Sequence, residues 1–124
     1  MVMRTPLKII LIEDDSSMQS ILQTLLELEG FQVVTAGDRR SESELLDLIR
    51  QEQPDIILLD VFLKDGASGI DLLRKVRSDE SISKTRVVMT SGMDLRDECI
   101  QSGASDFLLK PYMPVELLDK LRAV

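Results

Sequence analysis

The chain has 124 residues, of which 44% are hydrophobic and 30% charged, and its net charge is -7. This length and composition are typical of one globular domain and argue against intrinsic disorder. The negative charge argues against direct binding of nucleic acid, because phosphate backbones attract basic patches.

The residue types that are missing restrict the chemistry further. The sequence contains no histidine and a single cysteine, Cys99, which removes Ser-His and Cys-His catalysis, histidine metal ligands and internal disulfides. No apolar run approaches the roughly 20 residues of a membrane span, and the first eight residues lack the apolar core of a signal peptide. We therefore expect a cytoplasmic protein that contacts no membrane.

Strand-like and helix-like patterns alternate along the first half of the chain. Residues 7–12 are apolar on both faces, as in a buried parallel strand. A helix follows, which Asp15 or Ser16 can cap and Gly30 can end. The pattern then predicts a strand over 31–35, a helix that includes Leu45, Leu48 and Ile49, and a strand over 56–59.

The same alternation continues in the second half. A polar loop over 64–69 leads to a third helix, and strands are predicted over 86–90 and 106–109 with a short helix over 94–102 between them. Pro114 suits the first position of a fifth helix. That helix is expected to bury Val115, Leu118 and Leu121.

Five strand–helix units predict an α/β fold with a doubly wound parallel sheet and helices on both faces. The most acceptable strand order is 2-1-3-4-5, which reverses direction between strands one and three. We expect residues 1–124 to form a single domain with its core at about 7–122.

Four of the predicted strands end on residues suited to phosphate chemistry. These are Glu13 and Asp14 after strand one, Asp60 after strand three, Thr90 and Ser91 at strand four, and Lys110 after strand five. The carboxyl ends of parallel strands meet at one edge, where open α/β sheets bind their ligands. Crowded carboxylates need protons or a cation, and Mg²⁺ suits them because it takes one or two carboxylates and keeps other positions for phosphate oxygens.

The roles of these residues stay partly open at this level. Asp14 is the best candidate for direct coordination, whereas Glu13 could act through a bound water. The Lys110 ammonium could pair with Asp60 or with a phosphate upon it, and the bond from Lys110 to Pro111 is expected to be trans. Each feature alone has an ordinary explanation, such as a solvated lysine or acids that offset a helix dipole, so the prediction depends on their convergence.

Four segments together resemble the receiver domains of two-component response regulators, and the resemblance extends from about Lys8 to Leu121. The segments are Ile12-Glu13-Asp14-Asp15, Pro54-Asp55-Ile56-Ile57-Leu58-Leu59-Asp60, Met89-Thr90-Ser91-Gly92 and Gly103-Ala104-Ser105-Asp106-Phe107-Leu108-Leu109-Lys110-Pro111.

The resemblance implies a flavodoxin-like fold and a phosphorylation-dependent signalling switch rather than an enzyme. Asp60 would accept a phosphoryl group from a histidine kinase or histidine phosphotransfer protein. The site residues implied are Glu13, Asp14, Asp60 and the backbone carbonyl of Phe62 as Mg²⁺ ligands, Ser91 (alternatively Thr90) as the switch hydroxyl, Phe107 as the switch aromatic and Lys110 as the active-site lysine. Mn²⁺ is an alternative metal, and the downstream partner is an unknown protein. We expect a monomer or weak homodimer without an output domain.

Two segments depart from the usual pattern of that family, judged by spacing. The loop between Asp60 and Gly69 is one residue longer and lacks a proline. The stretch from Ser91 to Gly103, which carries the fourth helix, is about three residues shorter.

Three other functions fit the sequence less well. An aspartate-nucleophile phosphatase needs a second acid two positions after its nucleophile, where Phe62 stands instead. An FMN-binding protein needs a phosphate loop rich in serine, threonine and glycine after strand one, where this chain has acids. A receiver-like protein that is not phosphorylated would be expected to lack the site residues that are all present here.

Overall fold

A computed structural model describes residues 6–123 as strands and α-helices that alternate along the chain. The strands are β1 (Lys8–Ile12), β2 (Gln32–Thr35), β3 (Ile56–Asp60), β4 (Arg86–Ser91) and β5 (Asp106–Leu109). The helices are α1 (Ser16–Leu28), α2 (Glu42–Glu52), α3 (Gly69–Ser78), α4 (Arg96–Gln101) and α5 (Pro114–Arg122). Within residues 6–123, no helix is both long and apolar enough to span a membrane.

All strand pairs are parallel, and the order is β2-β1-β3-β4-β5. The predicted fold class and strand order are therefore confirmed. Asp60 lies opposite Thr90 and Ser91 lies opposite Leu109. This register brings the carboxyl ends of the three strands β3, β4 and β5 to neighbouring positions at one edge of the sheet.

The sheet separates two hydrophobic cores, because successive side chains of a strand point to opposite faces. One core lies against α1 and α5 and includes Leu11, Leu58, Val88 and Leu108. The other lies against α2, α3 and α4 and includes Ile10, Ile57, Val87 and Phe107. The central strands are thus covered on both faces, as their continuous apolar runs indicate.

Local capping explains where several helices begin and end. Asp15 caps α1, since its Oδ1 accepts a hydrogen bond of 3.0 Å from the Met18 amide. Gly30, with φ of +95°, follows the end of that helix and provides the left-handed turn that redirects the chain into β2. Ser41 and Glu44 form a capping box at α2, and Pro114 is the first residue of α5 as predicted.

Two helices differ in detail from the sequence predictions. In α5 the buried residues are Leu117 and Leu121, whereas Val115 is 60% exposed. Val115 precedes Leu117 by two residues, or about 200° around the helix, so it faces away from that core. Helix α4 begins at Arg96 rather than at Asp94, and no side chain caps its first turn.

Candidate functional site

The alternation of side chains along the strands brings four polar groups to one face of the sheet edge. Each follows, by two positions, a residue of the core that lies against α1 and α5, and side chains two positions apart share a face. The four groups are Glu13, Asp60, Thr90 and Lys110. The predicted convergence of carboxylates, hydroxyl and ammonium thus follows from strand register and pleat.

The carboxylate of Asp60 lies at the centre of this group and is only 6% exposed. Its Oδ1 accepts a hydrogen bond of 2.8 Å from the Thr90 hydroxyl and forms an ion pair of 2.8 Å with Lys110 Nζ. Its Oδ2 accepts a bond of 3.2 Å from the Asp14 amide. Charge-assisted contacts of this kind hold a buried carboxylate in one orientation.

Lys110 joins the two acids of neighbouring strands. Besides Asp60, its Nζ contacts Glu13 Oε1 at 2.9 Å. Burial opposes the ammonium, but the bonds to Asp60 and Glu13 outweigh burial, and the pKa of Lys110 is raised. The bond from Lys110 to Pro111 is cis, so the trans bond expected from sequence is wrong.

The two acids that share Lys110 differ in their affinity for a proton. Burial, followed by the hydrogen bond to Asp60, raises the pKa of Glu13 to about 7. Burial also acts against the ionised form of Asp60, but its bonds to Glu13, Lys110 and Thr90 outweigh that effect and lower its pKa. Asp60 is therefore ionised at neutral pH, as a nucleophile must be, whereas Glu13 exchanges its proton near neutral pH.

Asp14 supplies the clearest indication of a cation site. Its Oδ1 is buried and has no hydrogen-bond partner, and an unpartnered buried carboxylate oxygen is costly unless a cation reaches it. No three histidine, cysteine or acidic side chains of residues 6–123 form a ready-made metal cage. That finding is compatible with Mg²⁺, which binds through one or two carboxylates and keeps several waters.

An open cleft of about 240 Å³ gives access to these groups. Asp14, Asp60, Phe62, Gly92 and Lys110 are among the residues that line it. The candidate donors there are carboxylate oxygens and the backbone carbonyl of Phe62. Mg²⁺ prefers oxygen ligands of these kinds. The residues present therefore fit a magnesium ion.

The two neighbouring hydroxyls at the end of β4 have different surroundings. Thr90 donates to Asp60, whereas the Ser91 hydroxyl accepts a bond of 3.0 Å from the Met93 amide. The Thr90 hydroxyl therefore contacts Asp60 directly, whereas Ser91, the residue preferred from sequence, is among the residues that line the cleft beside Asp60. The assignment of the switch hydroxyl to one of the two stays a prediction. Ser91 lies on the opposite face of the pleat, next in alternation to Met89.

Phe107 is 2% exposed and packs in the core that lies against α2, α3 and α4. It lies opposite Met89 in the register of β4 and β5. Its carbonyl accepts a bond of 3.3 Å from the Arg96 guanidinium, which links the first turn of α4 to β5. A change in the position of Phe107 would therefore alter its contact with the first turn of α4.

Sequence reasoning missed Gly69, the first residue of α3. Its amide donates a bond of 2.6 Å to the Val61 carbonyl, and a Cβ atom at this position would lie 2.0 Å from the Asp60 carbonyl oxygen. Only glycine permits this approach between α3 and the backbone of Asp60. The available signal was a glycine directly after Ser68, the residue that caps the helix.

The loop after β3 contains a compact turn. Lys64–Gly66 form a 3₁₀ turn in which Asp65 has φ of +60°. The Leu63 amide donates to the Ala67 carbonyl at 3.0 Å, and Phe62 and Ser68 form an isolated antiparallel bridge. This turn brings Ser68, the residue that caps α3, back beside Phe62.

Comparison with known proteins gives a consistent result. The family model described as response regulator receiver domain matches residues 9–122. The DNA-binding response regulator MtrA of Mycolicibacterium smegmatis is 36% identical over 118 residues, which are 94% of this chain and 49% of that protein. The chain thus spans about half the length of the curated relatives it matches.

Solved structures share the fold. The "putative response regulator" from Chloroflexus aurantiacus has a TM-score of 0.84 at 26% identity, with 95% of this chain and 96% of that chain covered. The receiver domain of the sensor histidine kinase PA1611 from Pseudomonas aeruginosa has a TM-score of 0.81 at 23% identity, with 95% and 96% covered. In that second structure a magnesium ion is coordinated in the active-site cleft.

Proposed function

Because this chain belongs to the response regulator receiver domains, which are phosphorylation-dependent switches of two-component signalling, we propose that Asp60 is its phosphoacceptor. The observation that carries this proposal is the environment of Asp60. It is an ionised carboxylate that is held by Lys110 and Thr90 at the base of an open cleft.

The proposed reaction is an in-line phosphoryl transfer. One carboxylate oxygen of Asp60 attacks the phosphorus of a phosphohistidine, the new P–O bond forms as the P–N bond breaks, and the electron pair leaves on the imidazole nitrogen. Lys110 offers a fixed positive charge to the transferring oxygens, and Thr90 offers a hydroxyl. Such catalysis consists of positioning and electrostatic stabilisation.

Receiver domains bind Mg²⁺ in this cleft, and here we propose Asp14, Asp60 and the Phe62 carbonyl as its ligands. Glu13 would take part through a bound water, because its carboxylate already contacts Lys110. When bound, the ion neutralises charge on the phosphoryl oxygens. Mn²⁺ is an alternative with similar oxygen chemistry.

The partners follow from the same reaction. We propose that the phosphoryl donor is a histidine kinase or a histidine phosphotransfer protein, and that a downstream protein recognises the phosphorylated state. The switch would use Thr90, which approaches the new phosphoryl group, and Phe107, whose repacking would displace α4. A shift from mostly inactive to mostly active requires about 5 kcal/mol of preference for the active state.

We propose a phosphoacceptor rather than a turnover enzyme. No acid stands two positions after Asp60, where Phe62 is found, so the chain offers no obvious proton donor for repeated hydrolysis. Steady turnover of p-nitrophenyl phosphate with MgCl₂, beyond one equivalent per chain, would contradict this.

The test is mass spectrometry after treatment with acetyl phosphate and MgCl₂, with the modified residue mapped. The parent should gain one phosphoryl group on Asp60, and Asp60→Asn should gain none, because the amide is not a nucleophile. Asp119→Asn is the matched control, since Asp119 is an exposed aspartate of α5 and its loss should leave labelling unchanged. Stoichiometric labelling of Asp60→Asn would overturn the assignment.

A further inference from the structure

A second cavity adjoins the acidic site on the side away from Lys110. Its volume is about 60 Å³, and it lies between the end of β1, the β2–α2 loop and the β3–α3 loop. Glu13 and Asp14 line one side, and three cationic residues line the other: Arg39, Arg40 and Lys64. We call these three residues the cationic rim.

The members of the cationic rim share a property that is rare in this chain. Within residues 6–123, only four exposed lysine or arginine side chains have no carboxylate oxygen within 4.0 Å. They are Arg39, Arg40, Lys64 and Lys84. Three of the four therefore line one small cavity, and the fourth lies beside Pro54 and Asp55, at the amino edge of the sheet.

The backbone presents the cationic rim toward the cavity. Gly37 has φ of +64°, which turns the chain after β2, and Arg39 Nη1 donates a bond of 3.2 Å to the Ala36 carbonyl. Lys64 begins the 3₁₀ turn of the β3–α3 loop. Two separate loops thus bring positive charge that forms no close ion pair next to the same acids, although Arg39 also acts on Glu44 at longer range.

An electrostatic difficulty of the phosphoacceptor site makes this charge significant. A small donor such as acetyl phosphate is a dianion, and it must approach three carboxylates on a protein with net charge -7. Positive charge at the border of a cleft raises the local concentration of an anionic substrate. The effect is screened by salt, with a Debye length of about 10 Å at 0.1 M.

We propose that Arg39, Arg40 and Lys64 are specificity-determining residues that favour small dianionic acyl phosphates as phosphoryl donors. This inference rests on the proposed role of Asp60. In the reaction a carboxylate oxygen of Asp60 forms a bond to phosphorus, the bond from phosphorus to the acyl oxygen breaks, and the carboxylic acid anion leaves with the electron pair. The balance requires no proton and no further reactant.

The proposal predicts opposite effects on an anion and on a cation. Removal of positive charge from the rim should slow the encounter with acetyl phosphate, but it should tighten the binding of Mg²⁺ to Asp14 and Asp60, since like charges repel. Damage to the fold would weaken both. This opposition distinguishes an electrostatic role from a structural one.

The experiment compares Arg39→Gln, Arg40→Gln, Lys64→Gln and the triple variant with Lys84→Gln. Each single variant removes one positive charge, as Lys84→Gln does, and Lys64→Gln makes the same substitution as Lys84→Gln at a different location. Phosphorylation of Asp60 by acetyl phosphate is timed by mass spectrometry, and Mg²⁺ affinity is measured by calorimetry. Phosphoramidate, which carries less negative charge at neutral pH, serves as the second donor.

At about 0.01 M ionic strength we expect the second-order rate constant with acetyl phosphate to fall about twofold in each rim variant and about tenfold in the triple variant. The loss should be smaller with phosphoramidate and should vanish at about 1 M salt. The Mg²⁺ dissociation constant should fall in the rim variants, and Lys84→Gln should match the parent.

Equal rates in the triple variant and the parent would contradict the proposed role of the cationic rim, whereas the assignment of Asp60 as the phosphoacceptor would stand. A salt-independent loss, or weaker Mg²⁺ binding together with slower phosphorylation, would also overturn the proposed role of the cationic rim in favour of a structural role. If neither donor labels Asp60 of the parent, the proposed function itself is wrong, and so is the role of the cationic rim that depends on it.

Discussion

At the scale of single residues, Thr90 and Ser91 show what a sequence leaves undetermined. Both are small, hydroxylated and at the end of a buried strand, and nothing in their identity says which points toward Asp60. The structure distinguishes them, because side chains alternate between the two faces of a sheet and that of Thr90 lies on the same face as those of Asp60 and Lys110. A shift of one residue in register would have exchanged their positions.

This difference leads to a prediction for two matched variants. Thr90→Ala removes the hydroxyl that donates to Asp60, and a hydrogen bond to a charged group contributes about 1.5–3 kcal/mol. We expect phosphorylation of Asp60 by acetyl phosphate to slow about tenfold or more, as followed by mass spectrometry. Ser91→Ala should change the rate by less than about twofold, since its hydroxyl only accepts from the Met93 amide.

Thr90→Ser provides the control, because it retains the hydroxyl and should restore most of the rate. A larger loss in Ser91→Ala than in Thr90→Ala would return the assignment to Ser91.

At the scale of secondary-structure elements, apolar patterning predicted the strands and helices well, whereas their ends depended on local bonds. The strand predicted over 86–90 extends to Ser91, because the Lys110 amide donates to the Ser91 carbonyl at 2.8 Å and continues the ladder. The face that α5 buries was misjudged at Val115, because the apolar residues at 115, 117, 118 and 121 fit more than one face of a helix. The cis bond before Pro111 had no signal in the sequence.

Helices α4 and α5 are joined through one acid on β5. Asp106 accepts bonds of 3.1 Å and 3.0 Å from Lys120 Nζ of α5, and it lies 3.7 Å from Arg96 Nη1 of α4. Burial opposes its ionised form, but the bonds from the Phe107 amide and Lys120 outweigh burial and lower its pKa. The ionised form is therefore favoured by the fold.

The pH dependence of stability tests this connection. Because the pKa of Asp106 is lower in the folded state than its ordinary 3.8, its contribution is present above that value and is lost as the pH falls through the lowered pKa. Asp106→Asn should reduce the free energy of unfolding by about 1 kcal/mol at neutral pH. In urea titrations the difference from the parent should shrink as the pH falls below 3.8.

Asp119→Asn, on the exposed side of α5, should show no such dependence. A difference between Asp106→Asn and the parent that is the same at both pH values would mean that packing, rather than charge, is responsible.

At the scale of the whole molecule, the buried carboxylate oxygen of Asp14 affects the free energy of unfolding. Asp14 carries a buried oxygen without a partner, so the site stores unfavourable energy until a cation reaches it. A ligand that binds only the folded state adds stability in proportion to its concentration above the dissociation constant.

Asp14→Asn should therefore have effects of opposite sign with and without metal. The parent should gain about 2.7 kcal/mol in urea titrations at a hundredfold excess of MgCl₂ over its dissociation constant. The variant should gain much less, yet should exceed the parent by about 1 kcal/mol in metal-free buffer, since a charge without a partner has been removed. A metal-free variant less stable than the parent would contradict this account.

Much of the candidate site was predictable because parallel strands must end at a common edge. The acids after β1 and β3 and the lysine after β5 were placed by that rule alone, and the structure brings Glu13, Asp60 and Lys110 into contact. The cationic rim and Gly69 were not, because their importance comes from loop conformation, which apolar periodicity does not encode. Their roles stay predictions, as do those of the acids.

Strand β4 has a side-chain hydrogen bond to another part of the domain at each end. Thr90 touches Asp60 at the carboxyl end, and at the amino end the Arg86 guanidinium donates to the Leu121 and Lys120 carbonyls at 2.9 Å and 2.8 Å. A strand buried on both faces is stiff along its length. β4 therefore connects Asp60 to the final turn of α5 through one continuous strand, without an intervening loop.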